Sequence, residues 1–427
     1  MSTQGILEKI VDEVESEEDE LVDLCSKLVQ IPTVSPPGES REIAKFIESY
    51  FGSLGIATHI YEKVEGKSNV CVELPGKREG KIIWLGHVDT VPPGDPSSWK
   101  HDPYGGEVVN GRIYGRGSSD TKGAVAAAMI AAKALSRLPR DERCSVEFWF
   151  TTCEEIGARE GARWLAEEGF FKGDVCIVGD SEGFLPRDPV IDVGCKGILR
   201  VKLKAKGLAA HGSVPFLGEN AVEKLIEVWR YARRISEFKL DVPKALEPIF
   251  ESSINLFERR MKLNKSQEAS LRRLYHFPTV SLNIIRGGIK ANVVPDYAEA
   301  HLDIRVTPGT DMNSVKDRMI NLVKESKVDG VEAEIYSLRE GIYEDPKSPY
   351  VKSLSEAVRR VTGFSPTLRI LTGSTDGIHV KQISKIPCLG LAPGVHGTAH
   401  TVDEYVTIEN LTAVAKIYAV YPLLFKP

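Results

Sequence analysis

Three short stretches of this 427-residue chain place imidazole and carboxylate groups where they could do chemistry. The first is Gly86-His87-Val88-Asp89-Thr90, directly after the apolar run KIIWL. A neutral imidazole is a good ligand for zinc or cobalt, and a carboxylate two residues on can accept the other ring N–H and orient it. Taken alone, the same pattern also fits a hydrogen-bonded turn. The second is GRGSSDTKG, Gly115 to Gly123, before an Ala-rich stretch. It matches neither the Walker nor the dinucleotide-binding glycine pattern in full. Its chemical feature is Asp120, beside a helix start that favours negative charge, where a capping aspartate is the plainer reading. The third is Glu154-Glu155, after EFWFTTC. Adjacent acids raise each other's pKa unless a cation lies nearby. Asp180 follows VCIVG, and His400 lies in HGTAHTVDEY. Together these give two histidines and three carboxylates, all at strand ends, with one Glu to spare. That is a donor set for two divalent ions sharing one carboxylate.

The elements that must hold these groups follow from periodicity. Residues 5–30 carry apolar positions at helical spacing, Pro32 to Gly38 breaks them, and 39–54 resumes as helix. Ser68–Leu74, Lys81–Leu85, Ser145–Thr152 and Val175–Val178 are expected strands. They alternate with helices over 122–138 and 161–168, which implies a mostly parallel, doubly wound sheet. Near Gly194 the pattern changes. Ile198–Ala205 alternates with period two, a helix spans 220–235, and strands at 279–285 and 298–306 precede a helix at 312–326 and a strand at 331–338. This β-α-β-β-α-β order is that of a small antiparallel sheet, with residues 237–277 as a helical insertion. From 349 the doubly wound style returns: a helix to 362, a strand at 369–371, a helix around 378–382, a strand at 387–391 and a last helix from 408. The expected division is 1–194 and 341–427 for an α/β catalytic domain and 195–340 for a ferredoxin-like domain interrupting it.

Composition bounds the function. There are 55 Lys and Arg against 60 Asp and Glu, a net charge of −5, which argues against a general nucleic-acid or acidic-membrane binder. No run approaches 18 apolar residues, and the first 25 residues lack the basic and apolar regions of a secretory signal. A cytoplasmic setting is expected. The seven cysteines are scattered, without metal-binding spacing, and read as reduced structural thiols.

With those residues in view, the sequence resembles the dinuclear-metal amidohydrolases and peptidases of the M20 family. The strings GHVDTVPPGD, YGRGSSDTKG, EEIGA, GDSEG, AAHGSVPFLGENA, IKANVVPDYAEAHLDIRVTPGT, LTGSTDG and AHTVDEY carry the resemblance in family order. It implies that His87, Asp120 and Asp180 hold one metal and that Asp120, Glu155 and His400 hold the other, with zinc or cobalt as the ion. His396, four residues before His400, is the competing histidine. It implies that Asp89 orients His87 and that Glu154 is general base and then general acid while a metal-bridging hydroxide attacks an amide carbonyl. The interrupting domain is implied to be a lid and homodimerisation domain, with His211 reaching the partner's active site to meet the oxyanion. Asn292 and Arg305 would bind a substrate carboxylate, and Ser374 and Thr375 would line the pocket. The implied substrate is an N-acyl amino acid, with a short peptide as the alternative. A dinuclear phosphoesterase or a non-catalytic relative fits less well, since the lid strings and every catalytic position are present.

Overall fold

The computed structural model describes residues 3–427. The chain forms two compact units, Met1–Gly194 with Glu344–Arg369 and Thr375–Pro427, and Cys195–Tyr343 with Ile370–Ser374.

The first unit is built on a large mixed sheet. Seven of its nine strands run in the order Thr58–Glu62, Ser68–Leu74, Ser145–Thr151, Lys81–His87, Val175–Val178, Cys388–Gly390 and Val190–Cys195. The four from Ser145–Thr151 to Cys388–Gly390 are parallel, and the first two and the last pair antiparallel. Parallel strands buried on both faces read as continuous apolar runs, as Ile82–Leu85 and Val175–Val178 do. In this register His87 lies opposite Thr151, and Leu85 opposite Val178. The turns after the three strands therefore leave from one edge of the sheet, where open α/β sheets collect ligands.

The helices Gly123–Ser136 and Ile408–Leu424 are buried around nearly their whole circumference. That explains why their sequences lack a polar face. Two further helices, Thr3–Ser16 and Glu18–Gln30, divide the long amphipathic pattern at the amino end. The expected helix around 378–382 is shorter and less regular, one turn at Gly377–His379 followed by a wider turn at Val380–Ser384. A small sheet of Glu107–Val109, Arg112–Tyr114 and Tyr405–Thr407 has no counterpart in the sequence reading. Three residues are too few to show a period of two. Yet this sheet pairs Tyr405 with Tyr114 and so brings the turn that follows Tyr114 to the segment carrying His400.

The second unit is a four-stranded antiparallel sheet, in the order Thr279–Gly287, Tyr297–Val306, Gly197–Lys206 and Val331–Arg339. One face buries Leu199, Val201 and Leu203 with Ala300, Leu302 and Ile304 against the helices Ala221–Ala232 and Met312–Glu325. The other face carries cross-strand charges, Lys204 to Glu334 at 2.5 Å and Arg200 to Asp303 at 3.2 Å. This one-sided burial is what the period-two alternation expresses. The 237–277 stretch holds two helices, Glu247–Arg260 and Lys265–Arg273, the second opened by a capping box between Asn264 and Gln267.

Lys196 is fully buried in this unit. Its ammonium donates to the Leu274 carbonyl and lies 5.2 Å from the Tyr275 ring centroid. Burial, with a smaller push from Arg305, lowers its pKa to about 7. The unfolded chain then binds the extra proton between that value and the ordinary lysine pKa, so stability rises with pH across this window and is flat below it. Urea unfolding at pH 7, 8 and 9 should show a wild-type slope steeper than that of Lys196→Met by up to about 1.4 kcal/mol per pH unit. Parallel profiles would count against a neutralised lysine.

Candidate metal centre

Every group of the candidate centre comes from the first unit. His87 ends its strand and is buried. Its Nδ1 faces the Asp89 carbonyl oxygen at 2.9 Å, and its Nε2 lies 3.1 Å from Asp120 Oδ1. The bond at Nδ1 sets the tautomer that leaves the Nε2 lone pair for a metal ion. The Asp89 carboxylate stands further off, at 3.6 Å from Nδ1. It accepts instead the backbone N–H groups of Glu154 and Glu155 at 3.0 and 3.3 Å. Asp89 therefore holds both the imidazole and the diglutamate turn.

That turn begins at Cys153, whose φ of 63° reverses the chain directly after the strand. Asp120 does not cap the Ala-rich helix. It sits at φ −129°, ψ 88° ahead of it, turning its carboxylate between two imidazoles. One oxygen meets His87, and the other lies 3.1 Å from His400 Nε2. The same His400 nitrogen is 3.0 Å from Glu155 Oε1. Ligand atoms of His87, Asp120 and Asp180 all lie within 4.8 Å of one another, and so do those of Asp120, Glu155 and His400. Asp120 belongs to both sets. Glu154 belongs to neither, although it is close enough to feel Asp180 and Glu155.

The electrostatics show a cluster short of positive charge. Burial pushes Glu154 well above the carboxylate range, and Asp376, Asp180 and Glu155 push it further. Burial does the same to Asp180, with Asp120 next. Burial would also raise Asp120, but hydrogen bonds with His400 and His87 outweigh it and hold the group below its ordinary value. The Asp120 and Glu155 hydrogen bonds lift His400 to about 10. Carboxylates this crowded are relieved by a cation, which reverses the local pKa logic. Two imidazoles with several carboxylates, one of them common to both sets, suit divalent metal ions.

Sequence reasoning passed over Glu404. It is fully buried, pairs with Arg116 at 2.6 Å, and accepts the N–H groups of Gly117, Ser119 and Asp120 at 3.0–3.1 Å. Gly117, at φ 88°, gives the loop the left-handed turn that aims these groups inward. Glu404 thus ties the loop of Asp120 to the segment of His400. Removing one partner of such a buried pair typically costs about 3–5 kcal/mol. A second buried brace lies beneath Asp180. Arg369 pairs with Asp192 at 2.6 Å, Ser181 Oγ donates to Asp192, and Arg369 also donates to the Glu182 carbonyl. Glu182 in turn pairs with His396 at 3.0 Å, so His396 stands in neither ligand set. Asp376, missed beside Thr375, is a buried acid whose charge bears on Glu154 and Asp180.

The remaining expected site residues fall mostly in the second unit. His211 is exposed, with Nδ1 2.7 Å from Ser213 Oγ. It bridges to Val293, and Gly212 N–H donates to the Asn292 carbonyl, so His211 and Asn292 share one short ladder. Arg305 is partly buried and paired with Asp303 at 2.5 Å. Ser374 belongs to the second unit, whereas Thr375 is buried in the first.

A parallel sheet with imidazoles and carboxylates gathered at its carboxyl edge, in a chain that also forms an antiparallel unit, is the arrangement of a metallohydrolase. The chain belongs to peptidase family M20/M25/M40, whose model matches residues 83–423. It is similar to the succinyl-diaminopimelate desuccinylase of Methylocella silvestris, 27% identical over 412 residues, covering 93% of this chain and 96% of that one. The same enzyme of Paracoccus denitrificans is 27% identical over 412 residues, covering 92% and 95%. Among solved structures, a metallo-carboxypeptidase of this family from Sulfolobus solfataricus superposes with a TM-score of 0.79 at 22% identity, covering 95% and 99%. The dipeptidase Dug1p of Saccharomyces cerevisiae gives 0.82 at 18%, covering 99% of each. The chain is an enzyme of metal-dependent amide hydrolysis. Among the described residues no helix is long and apolar enough to cross a membrane.

Proposed function

We propose that the chain hydrolyses the amide bond of an N-acyl amino acid, as a deacetylase or desuccinylase does. The observation that carries this is Asp120 shared between two ligand triads, with Glu154 beside both and in neither. His87, Asp120 and Asp180 would hold one ion and Asp120, Glu155 and His400 the other, zinc before cobalt. Two such ions, when bound, lower the pKa of water and polarise a carbonyl. Glu154 takes the proton of the attacking water on its carboxylate and returns it to the leaving nitrogen, the harder half of amide cleavage. Asn292 and Arg305 receive the substrate carboxylate, for which a planar guanidinium is suited. Arg305 would exchange its bond to Asp303 for it. Ser374 and Thr375 supply pocket donors.

The desuccinylase names of the relatives support the acyl reading. The peptidase names of the structural neighbours favour a second one, a di- or carboxypeptidase using the same centre. A panel of N-acetyl and N-succinyl amino acids, dipeptides and carboxypeptidase substrates, assayed with Zn²⁺ and with Co²⁺, separates the two. No turnover of any member would defeat both. Loss of the bridging ligand in Asp120→Ala should drop metal content from two ions per chain to less than one, by elemental analysis. Two tightly held ions with normal activity would remove Asp120 from the centre.

A cytoplasmic homodimer is part of the proposal. Thr279–Gly287 is an edge strand with Ile284 and Ile285 exposed, and Ile289 just beyond it is 93% exposed. Such an edge is a template for a two-fold partner. Light scattering should give twice the chain mass, and an active monomer would contradict it. All seven cysteines are buried, and reduced structural thiols support the reading of a reducing compartment.

A further inference from the structure

The insertion over 237–277 has no part in the chemistry above, yet it completes a pocket. The pocket has a volume of about 330 Å³ and lies wholly in the second unit, between the end of the helix Ala221–Ala232, the end of the insertion and the start of the strand Thr279–Gly287. Two hydrogen bonds close the ends of the insertion on each other: Arg273 donates to the Ser236 carbonyl at 3.0 Å, and Leu240 N–H to the His276 carbonyl at 2.9 Å. Trp229 on one element and Phe277 on another give it aromatic walls, and Ser270 and Thr279 also line it.

Two arginines line this pocket and no acid does. The Arg273 guanidinium lies over the Phe277 ring at 3.7 Å, which fixes its plane and leaves N–H edges beyond the one given to Ser236. The Arg233 side chain has no hydrogen bond or ion pair among the described residues. Glu237 and Glu325 pair with Arg234 at 3.7 and 3.5 Å, and Glu258 pairs with Arg272 at 2.7 Å. Two positive forks without a counter-charge, set between aromatic walls, are suited to an oxyanion that carries a flat apolar body. None of these residues is among those assigned to substrate.

We infer that the insertion builds a separate anion-binding site, taking a small carboxylate or phosphate ester with an aromatic or aliphatic body. The site carries its own reporter. Of the five tryptophans, Trp229 alone lies in the second unit. The full-length enzyme is titrated with phenylacetate, phenyl phosphate and the uncharged phenylacetamide, following tryptophan fluorescence, with Trp229→Phe as the optical control. Saturation by either anion at about 1 mM or below, lost in Trp229→Phe, is expected. The preferred anion tells carboxylate from phosphate. Phenylacetamide and the variant Arg233→Gln should each bind about tenfold more weakly or worse, because the charged hydrogen bond is gone. Arg233 has no internal partner, so this variant should keep the wild-type melting temperature. Arg305→Gln should titrate as wild type, which separates this site from the proposed substrate carboxylate site. The inference is overturned by no Trp229-dependent saturation up to about 20 mM. Equal affinity for the amide, or an Arg233→Gln curve matching wild type, would overturn it too.

Discussion

Glu154→Gln should lower kcat by about 10²–10⁴-fold, the worth of general acid–base catalysis, while metal content stays near that of the wild-type chain. The amide keeps the size of the side chain and leaves the Glu154 N–H bonded to Asp89, so the turn is preserved. It cannot accept the proton of the attacking water. Glu155→Gln should behave differently, because Glu155 faces His400 within the shared ligand set and its loss weakens metal binding itself. Adjacent glutamates with opposite signatures form the test: one variant metal-replete and nearly inactive, the other metal-poor. Environment already distinguishes them. Glu154 stands in neither ligand set, whereas Glu155 Oε1 lies 3.0 Å from His400 Nε2 within one of them. A Glu154→Gln enzyme within a few-fold of wild type would defeat the assignment.

What the sequence made legible were groups whose position follows from local pattern. His87, Glu154, Glu155 and Asp180 each come directly after an apolar run, and the end of a parallel strand is a place one can read. The alternation of Ile198–Ala205 likewise shows which face is buried before any partner strand is known. Glu404 was illegible for the opposite reason. In TVDEY it looks like one more solvated acid, and its meaning lies in Arg116 and three backbone N–H groups some 285 residues earlier in the chain. Asp89 was read as an imidazole partner, and only the fold shows that its carboxylate serves the diglutamate turn. Asp376 was masked by its neighbours, because the hydroxyls of GSTDG suggest pocket donors and nothing local says that the acid is buried. Local periodicity names the strand ends, whereas the braces that aim them are contacts between distant segments.

The His211→Ala chain should lose about 10²–10³ in kcat, the cost of removing one oxyanion donor, and should recover activity when mixed with a Glu154→Ala chain. His211 is exposed in its own subunit, and its backbone is pinned by the ladder to Asn292 and Val293. A side chain presented this way can serve a site in another copy without refolding. If it acts across the dimer, each mixed dimer has one site carrying both defects and one carrying neither. The intact site should give roughly half of wild-type activity per mixed dimer. If His211 acts within its own subunit, every site keeps one defect and nothing is recovered. The loss in the single variant should fall on kcat rather than KM, because the oxyanion exists only near the transition state. Subunit exchange must be shown separately, by pull-down of differently tagged chains. Proven exchange without recovered activity would refute the role in trans and leave the ligand set of Asp120 untouched, since no metal-binding group is altered in the His211→Ala chain.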